Sequence, residues 1–594
     1  MVFELGGFMR KRARWLIVAA CVAALGIQGL PAASQVTPDE SSDNITQLSR
    51  TPADSTATQS DLAFYTDEGT EYTVTGTYDG FRIVDTTNPA APVVVVSFKC
   101  NGPQNDVSVA QGDNGNWYLF QSIDTPQTSE ECTSTNTNYQ TNPNAFEGIR
   151  VFDITDPAAP VHVNSVAMDC GSHTHSLLPG DQNFKSDDEN IAYLYISSYP
   201  LSASGITTTP TFYGTECTKP HKKISIVRVD LADPASDTNI QVVERPLDTF
   251  TKPTDIGGPF AGCHDIAFAL GVNQGKAFNE GGDWAAGACF EEGQLWDVTD
   301  PMNPSFTNRW RNDNRTTIDL YHSAAFTWDG KMVIFGDEAG GGGGNRCRWS
   351  DDEQGRFWFH EFKSLRPVGS YKIPRPQAGN CTAHILNVIP TTNNRYLFGS
   401  SWYDGGTSVV DFTNPTNAKE IAFYDAGDPR ANVWATYWYN GHFFANDIGR
   451  GLEIYDVDYG PLSKAIDFPD GAMNPQTQFG LFDDSKGCTI FGTAGHDVLK
   501  GTPGDDVICG FGGSDEIDGR GGNDILLGGA GHDFILGGGG RDVIRGGVGH
   551  DFLKGESGND RLLGGEGNDF LNGGQGTDVC KGGPGKNVKK KCEN

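Results

Sequence analysis

The chain is short of positive charge. Its 44 lysines and arginines stand against 76 aspartates and glutamates, which gives a formal net charge of −32 over 594 residues. Nucleic acids and anionic membranes both bind basic protein surfaces. The composition therefore predicts no nucleic-acid partner and no electrostatic attachment to a membrane.

Several catalytic and metal-binding motifs are also missing. The sequence contains no G-x-S-x-G, no H-E-x-x-H and no C-x-x-C, which excludes the serine-hydrolase elbow, the zinc-protease helix and the paired-cysteine zinc site. No long stretch repeats its apolar residues with the 3.6-residue period of a helix. Short β-branched and aromatic runs separated by Gly, Pro, Asn and Asp predominate, and they predict an all-β protein.

One short pattern recurs seven times. Its clearest copies are GFRIVDTTNPAAP at 80–92 and GIRVFDITDPAAP at 148–160. Each predicts a strand followed by a turn, because β-branched residues favour strands and Asp or Asn before Pro initiates turns. The last strand position is occupied by Asp85, Asp153, Asp230, Asp297, Phe362, Asp411 and Asp456. These positions lie 45 to 77 residues apart, about the length of a four-stranded propeller blade with its loops.

These strands resemble the LVIVD repeat, and the resemblance covers roughly residues 61–469. It is strong for copies one, two, four, six and seven and weak for copies three and five. The fold of that family is a β-propeller, so seven copies imply a seven-bladed β-propeller. We predict this domain over residues 61–475.

Five histidines share one register near the start of the predicted innermost strands: His173, His175, His264, His322 and His384. Innermost strands line the central channel of a propeller, so these side chains could converge there. LVIVD proteins often carry His or His-Asp at this place, and His264-Asp265 matches that form. Two interpretations stay open. The imidazoles either bond to backbone and water, or bind a transition metal, with Asp265, Asp337 and Glu338 near the mouth.

The tail repeats every nine residues, as in GGAGHDFIL followed by GGGGRDVIR. Ten aspartates stand nine apart, at Asp497, Asp506, Asp515, Asp524, Asp533, Asp542, Asp551, Asp560, Asp569 and Asp578. The tail resembles the RTX, or haemolysin-type, calcium-binding repeat. That resemblance implies Ca²⁺ as a cofactor, bound by these aspartates and by glycine carbonyls, in a parallel β-roll with two repeats per coil. We predict the roll over residues 488–594, after a linker at 476–487.

The first and last repeats of the tail depart from the pattern. Thr493, Thr502 and Phe511 replace the second glycine of the first three repeats, and Asn587 replaces the aspartate after Asp578. We therefore expect weaker calcium binding at the start of the roll.

The amino-terminal segment combines basic residues, an apolar run and small residues, which is typical of a secretory signal peptide. We predict the signal peptide over residues 1–34 and a disordered linker over 35–60. A retained anchor, or lipidation at Cys21, is the alternative. Secretion would place the protein outside the cell, in solution or associated with a surface, with no stable membrane insertion.

Twelve cysteines remain once Cys21 is removed with the signal peptide. An even number in a secreted chain favours disulfides. We predict bridges between sequence neighbours: Cys100–Cys132, Cys170–Cys217, Cys263–Cys289, Cys347–Cys381, Cys488–Cys509 and Cys580–Cys592.

Two classes of function remain after this reading. One is a secreted calcium-binding protein whose propeller is an extracellular binding or adhesion module for an unknown ligand or surface component, stabilised by the roll. The other is a metal-dependent enzyme, a hydrolase or oxidoreductase, with its site in the histidine-lined channel. The sequence leaves open whether any catalysis occurs.

Overall fold

The computed structural model describes residues 40–592 with gaps. The longer gaps are 133–144, 180–189, 207–222, 248–261, 273–281, 312–319, 340–345, 348–353, 459–470 and 480–489. The predicted signal peptide, with Cys21, lies outside the described residues. Among those described, no helix is long and apolar enough to cross a membrane.

Seven sheets, each with four antiparallel blade strands, are found in the described part of the propeller region. The first strand of each blade contacts the first strand of the next, and blade 7 contacts blade 1, so the ring is closed. Each of the seven recurring sequence patterns forms the third strand of its blade. The prediction of an all-β, seven-bladed propeller is confirmed.

The blade strands, from the channel outward, have the following bounds. Blade 1 contains Gln59–Asp67, Thr70–Thr77, Gly80–Asp85 and Val93–Lys99. Blade 2 contains Gln104–Gln111, Trp117–Ser129, Ala145–Asp153 and Val161–Ala167. Blade 3 contains Thr174–Pro179, Ile191–Ser197, Lys223–Asp230 and Ile240–Pro246. Blade 4 contains Asp265–Val272, Gly282–Cys289, Glu292–Asp297 and Ser305–Arg311.

The remaining blades follow the same order. Blade 5 contains Tyr321–Phe326, Met332–Asp337, Phe357–Glu361 and Pro367–Tyr371. Blade 6 contains Leu386–Ile389, Leu397–Ser401, Thr407–Asp411 and Lys419–Asp425, with Glu40–Ser41 on its outer edge. Blade 7 contains Val433–Tyr439, His442–Asp447, Gly451–Val457 and, outermost, Ile45–Thr51. Short elements outside the blades are the hairpin Leu201–Ser202 with Gly205–Ile206 and the 3₁₀ turns Asp237–Asn239 and Pro415–Asn417.

The outer strand of blade 7 comes from the amino-terminal side of the chain. Ile45–Thr51 pairs antiparallel with Gly451–Val457, and Ile45 lies opposite Val457. The prediction of a disordered linker over 35–60 is therefore wrong for these residues. The last sequence repeat, GLEIYDVD, lacks the Asp/Asn-Pro turn of most other copies, and among the described residues the outer strand of blade 7 is Ile45–Thr51. Ile45 fills that place and is buried among residues of blades 6 and 7.

Two short strands after blade 7 pair with the innermost strands of other blades. Gly471–Met473 pairs antiparallel with residues 64–66 of blade 1, and Thr477–Phe479 pairs parallel with residues 268–270 of blade 4. We call this segment, residues 471–473 and 477–479, the strap. Its second strand falls inside the predicted 476–487 linker, so the propeller contacts continue beyond residue 475. The strap pairs with residues 268–270 of blade 4, whereas His264 lies just before the start of that strand at Asp265.

The propeller core lies between neighbouring blades. Each apolar cluster combines buried side chains of adjacent blades, as where Phe81 of blade 1 meets Phe152 of blade 2 at 5.1 Å between ring centroids. Because the third strands are buried on both faces, each blade depends on its neighbours to exclude water. At roughly 25 cal/mol per Å² of apolar area, this burial is the main stabilising contribution.

The tail forms a parallel β-roll. In its described residues one six-stranded sheet contains Ile490–Phe491, Val507–Cys509, Ile525–Ala530, Val543–Val548, Arg561–Glu566 and Val579–Lys581. The other contains Val498–Lys500, Glu516–Asp518, Phe534–Gly539, Phe552–Ser557, Phe570–Gln575 and Val588–Lys590. Partner residues differ by 18, for example Ile535 and Leu553, so two repeats make one coil as predicted. One Leu or Ile from each of nine repeats, with Cys580 from the tenth, forms the thin core.

Disulfides join sequence neighbours. Within the described residues four of the predicted pairs are bonded: Cys100–Cys132, Cys263–Cys289, Cys347–Cys381 and Cys580–Cys592. Cys170 and Cys509 are also disulfide-bonded. Their predicted partners, Cys217 and Cys488, lie outside the described residues.

Candidate metal centres

The aspartates of the roll are held in place by the neighbouring coil. One oxygen of each carboxylate, from Asp515 onward, accepts a hydrogen bond from the backbone N–H of the aspartate 18 residues earlier, as from Asp533 to Asp551 at 2.9 Å. The same bond recurs along both columns. At the end Asn587 Oδ1 accepts it from Asp569 at 2.8 Å. The register thus fixes where every carboxylate points.

The second carboxylate oxygen is left for a ligand. It is buried and has no hydrogen-bond partner among the described residues in Asp515, Asp533, Asp551, Asp560, Asp569 and Asp578. A Cβ atom added to Gly546 would lie 2.3 Å from Asp551 Oδ2 and 2.5 Å from the Gly564 carbonyl oxygen. Carboxylate and carbonyl oxygens therefore converge where no side chain intrudes. Hard oxygen donors in this arrangement fit Ca²⁺.

Burial and the charges of neighbouring carboxylates raise the pKa of several of these aspartates when no cation is bound. Burial raises the pKa of Asp551 to about 7, with Asp533 and Asp569 adding to the effect, and raises the pKa of Asp533 and Asp560 to about 6. A bound cation would supply the missing opposite charge. Near the start of the roll Thr502 donates its backbone N–H to Asp506 Oδ2 at 2.5 Å. That bond occupies the oxygen that elsewhere faces the open position.

In the propeller, four of the five predicted histidines come together. His264, His322 and His384 lie at the first strands of blades 4, 5 and 6, and His173 lies at that of blade 3. Ring centroids are 4.5 Å apart for His173 and His264, 3.6 Å for His264 and His322, and 4.5 Å for His322 and His384. The shared register therefore produces an arc of neighbouring imidazoles.

The ring of His384 bonds the backbone of the next blade, since its Nδ1 donates to the Trp434 carbonyl. Burial is the largest influence on these rings. It lowers the pKa of His384 to about 3 and the pKa values of His264 and His322 well below the usual value. The imidazoles are therefore neutral at pH 7, as metal ligands must be.

Glu338 completes this cluster. Its Oε2 lies 3.4 Å from His322 Nε2, and its Oε1 lies 3.8 Å from His384 Nε2 and accepts the Tyr403 hydroxyl. Burial raises the pKa of Glu338 to about 8. His264, His322 and Glu338 each offer one ligand atom within 4.8 Å of the others. The neighbouring Asp337 instead accepts backbone N–H groups of Leu320 and Gly355 at 2.8 and 2.9 Å.

The ring nitrogens of His175 and His173 contact polar side chains of blade 2. The two ring nitrogens of His175 lie 2.8 and 2.7 Å from the hydroxyls of Ser122 and Ser108. The structure therefore places His175 outside the cluster, as a buried structural residue. His173 Nδ1 lies 3.2 Å from Asp124 Oδ2 and its Nε2 lies 3.3 Å from the Gln104 amide nitrogen.

A small cavity joins the histidines to three buried carboxyl groups. Asp61, Asp106 and Asp265 line it together with His264, His322 and His384, and about 10 Å³ is open to the centre of a water-sized sphere. That is room for about one water molecule or one ion. Burial raises the pKa of Asp265 to about 8, and burial with the charge of Asp61 raises that of Asp106. The sequence analysis missed Asp61, which is the third residue of the strand Gln59–Asp67.

Comparison with known proteins identifies the repeats of the tail. The sequence profile of the RTX calcium-binding nonapeptide repeat matches residues 491–526, 518–553 and 554–588. The tail therefore carries RTX repeats, which bind Ca²⁺. A β-propeller domain of Cps50 (Swd1) from Myceliophteria thermophila is similar in structure, at 11% identity and a TM-score of 0.39, covering 71% of this chain and 100% of that one. No curated protein sequence matches the chain.

Proposed function

We propose that this is a secreted calcium-binding protein whose LVIVD-type propeller is an extracellular binding or adhesion module. The RTX roll would stabilise the protein or hold it at a surface. The observation that carries the proposal is the ladder of buried carboxylate oxygens in the roll, which face glycine carbonyls and lack partners among the described residues. Extracellular calcium modules work at about 10⁻⁴–10⁻³ M Ca²⁺, so the roll suits an environment outside the cell.

The cysteines and the chain order support secretion. Disulfides persist in oxidising compartments, and bonded cysteines occur in both the propeller and the roll. The proposed organisation is a signal peptide at 1–34, a propeller that begins with its closing strand at Ile45, and a roll over 488–594.

The channel cavity favours binding over catalysis. With room for about one water or ion, it is too small for an organic substrate. The partner in this proposal therefore meets the outer surface of the propeller rather than the channel interior. A metal-dependent hydrolase or oxidoreductase remains the second candidate, favoured by the convergence of His264, His322 and Glu338.

The test uses the full chain expressed with its amino-terminal segment in its producing cells. We expect the mature protein in the extracellular fraction, starting near Gln35 by mass spectrometry, and retained on isolated cell envelopes with millimolar Ca²⁺ but not with chelator. The Gly504→Ala variant serves as a control and should bind envelopes as the unmodified protein does, because a Cβ added at Gly504 meets nothing closer than 3.8 Å. Full retention of the protein in the cytoplasm, or envelope binding that chelator leaves unchanged, would contradict the proposal.

A further inference from the structure

We propose that His264, His322, His384 and Glu338 form a closed four-ligand site for a transition-metal dication of the Zn²⁺ class. The bound ion would cross-link blades 4, 5 and 6 and would have a structural rather than a catalytic role. This metal is separate from the calcium of the roll and independent of what the propeller binds.

The spacing of the donor atoms carries the first step. Ligand atoms on a tetrahedral Zn²⁺ with bonds of about 2.0–2.1 Å lie roughly 3.4 Å apart. Glu338 Oε2 and His322 Nε2 are 3.4 Å apart. Glu338 Oε1 and His384 Nε2 are 3.8 Å apart, a separation that a small contraction around an ion would close. His264, His322 and Glu338 offer ligand atoms within 4.8 Å of one another, so the cluster must contract around the ion to reach tetrahedral distances.

The tautomer of His384 carries the second step. Its Nδ1 donates to the Trp434 carbonyl, so its Nε2 must carry the lone pair. That nitrogen is buried and has no hydrogen-bond partner among the described residues. Metal-binding histidines commonly donate their other N–H to a carbonyl or carboxylate in this way, and ligating carboxylates are themselves hydrogen-bonded. The Tyr403 hydroxyl gives Glu338 such a bond.

The donor set and the cavity decide the kind of ion and its role. Three imidazoles and one carboxylate suit Zn²⁺ and its neighbours and not Ca²⁺. Four protein ligands fill a tetrahedral site, whereas a catalytic site keeps one position open. The adjoining cavity has room for about one water or ion. On the blade 2 and 3 side of the channel, the corresponding His173 instead places its Nδ1 3.2 Å from Asp124 Oδ2.

The test adds Co²⁺, as a spectroscopic substitute for Zn²⁺, to the full-length protein in millimolar Ca²⁺, which saturates the roll. We expect one bound equivalent with the strong visible absorption of tetrahedral Co²⁺. Azide should leave the spectrum unchanged, because a closed site offers no free position. A spectrum that azide alters would overturn the structural role. Absence of any bound Co²⁺ or Zn²⁺ would overturn the site itself.

Variants locate the ion. Glu338→Gln and His322→Ala should each weaken Co²⁺ binding at least tenfold. His360→Gln is the matched control, because His360 is a buried histidine of blade 5 that bonds Tyr321 and Leu365 outside the cluster, and it should bind as the unmodified protein does. His532→Asn tests adventitious binding to the stacked His532 and His550 of the roll. Loss of the ion in that variant, or its retention in both cluster variants, would contradict the assignment.

A readout of stability separates a structural ion from a passive one. Removing the ion with a chelator selective for transition metals should lower the melting temperature of the propeller and leave that of the calcium-loaded roll unchanged. The tail contains no Trp, so tryptophan fluorescence follows the propeller alone. If a cluster variant does not fold, this experiment on the unmodified protein still decides. An unchanged propeller melting temperature would refute the cross-linking role.

Discussion

The propeller and the roll use aspartate in opposite ways. In the propeller the aspartate that ends a repeat strand accepts the backbone N–H two residues later, as Asp153 does from Thr155 at 2.9 Å and Asp297 from Thr299 at 3.0 Å. These carboxylates lie at the surface and complete their own turns. In the roll, as at Asp551 and Asp569, one carboxylate oxygen is bonded and the other is buried without a hydrogen-bond partner among the described residues. The propeller carboxylates thus complete local turns, whereas these carboxylates of the roll are placed to accept a cation.

The largest expected effect is from calcium removal. In the full-length protein, chelator should unfold the roll, because two columns of buried carboxylates would face each other without countercharge, while the propeller stays folded. Limited proteolysis followed by mass spectrometry should show cleavage within 488–594 and an intact propeller with unchanged tryptophan fluorescence. A tail that resists protease equally with chelator and with calcium would contradict the comparison.

The reverse experiment attacks the propeller and spares the roll. Ile45→Asp places a carboxylate in the core at the strand that closes the ring, and should destabilise the propeller by about 3 kcal/mol or more. Thr46→Asp is the matched control. Thr46 is next to Ile45 in the same strand, but its side chain is exposed, so the change should have little effect on stability. Urea unfolding followed by tryptophan fluorescence measures both. Equal effects would mean that Ile45–Thr51 does not close blade 7.

Acid should act on the two regions with opposite sign. In the calcium-free roll the pKa of Asp551 is about 7, against roughly 3.9 when unfolded, so its stabilising protonation is complete below about pH 4 and lost as the pH rises through 7. Burial lowers the pKa of His360 to about 4, against roughly 6.5 unfolded. Its contribution is present above pH 6.5 and is lost as the pH falls through 4.

The measurement compares, with chelator present, the folded fraction of the roll and the stability of the propeller between pH 8 and pH 5. The Asp551→Asn variant should reduce the gain of the roll in acid, and His360→Gln should reduce the loss of the propeller. Variants that leave both pH profiles unchanged would show that other groups control them.

The smallest effect is expected from one glycine. A methyl group on Gly546 would meet Asp551 Oδ2 and the Gly564 carbonyl oxygen at 2.3 and 2.5 Å, whereas one on Gly504 would meet only Thr502 Oγ1, at an ordinary contact distance of 3.8 Å. Gly546→Ala should therefore weaken calcium binding at that position by about tenfold, or roughly 1.4 kcal/mol, with Gly504→Ala unchanged. Calorimetric calcium titration measures both, and equal affinities would place the ion elsewhere.

The architecture could be predicted because its signals are local and repeated. Seven copies of a strand-and-turn pattern and ten aspartates at a spacing of nine are visible without knowledge of distant contacts. The ring closure was not predicted, because Ile45–Thr51 becomes a strand through pairing with residues 400 positions away, Gly451–Val457. The local sequence ITQLSRT contains no signal that identifies this partner strand. The strap escaped prediction for the same reason.

The sequence by itself determined the all-β class, the two architectures, the RTX repeats of the tail and the register of the channel histidines. The tertiary structure alone decided which members of that register meet. His175 turns to two serines while His264, His322 and His384 face one another, and Asp337 binds backbone while Glu338 joins the histidines. The physical reason is that neighbouring residues on a strand point to opposite faces, and only the packing of the blades determines which face borders the channel.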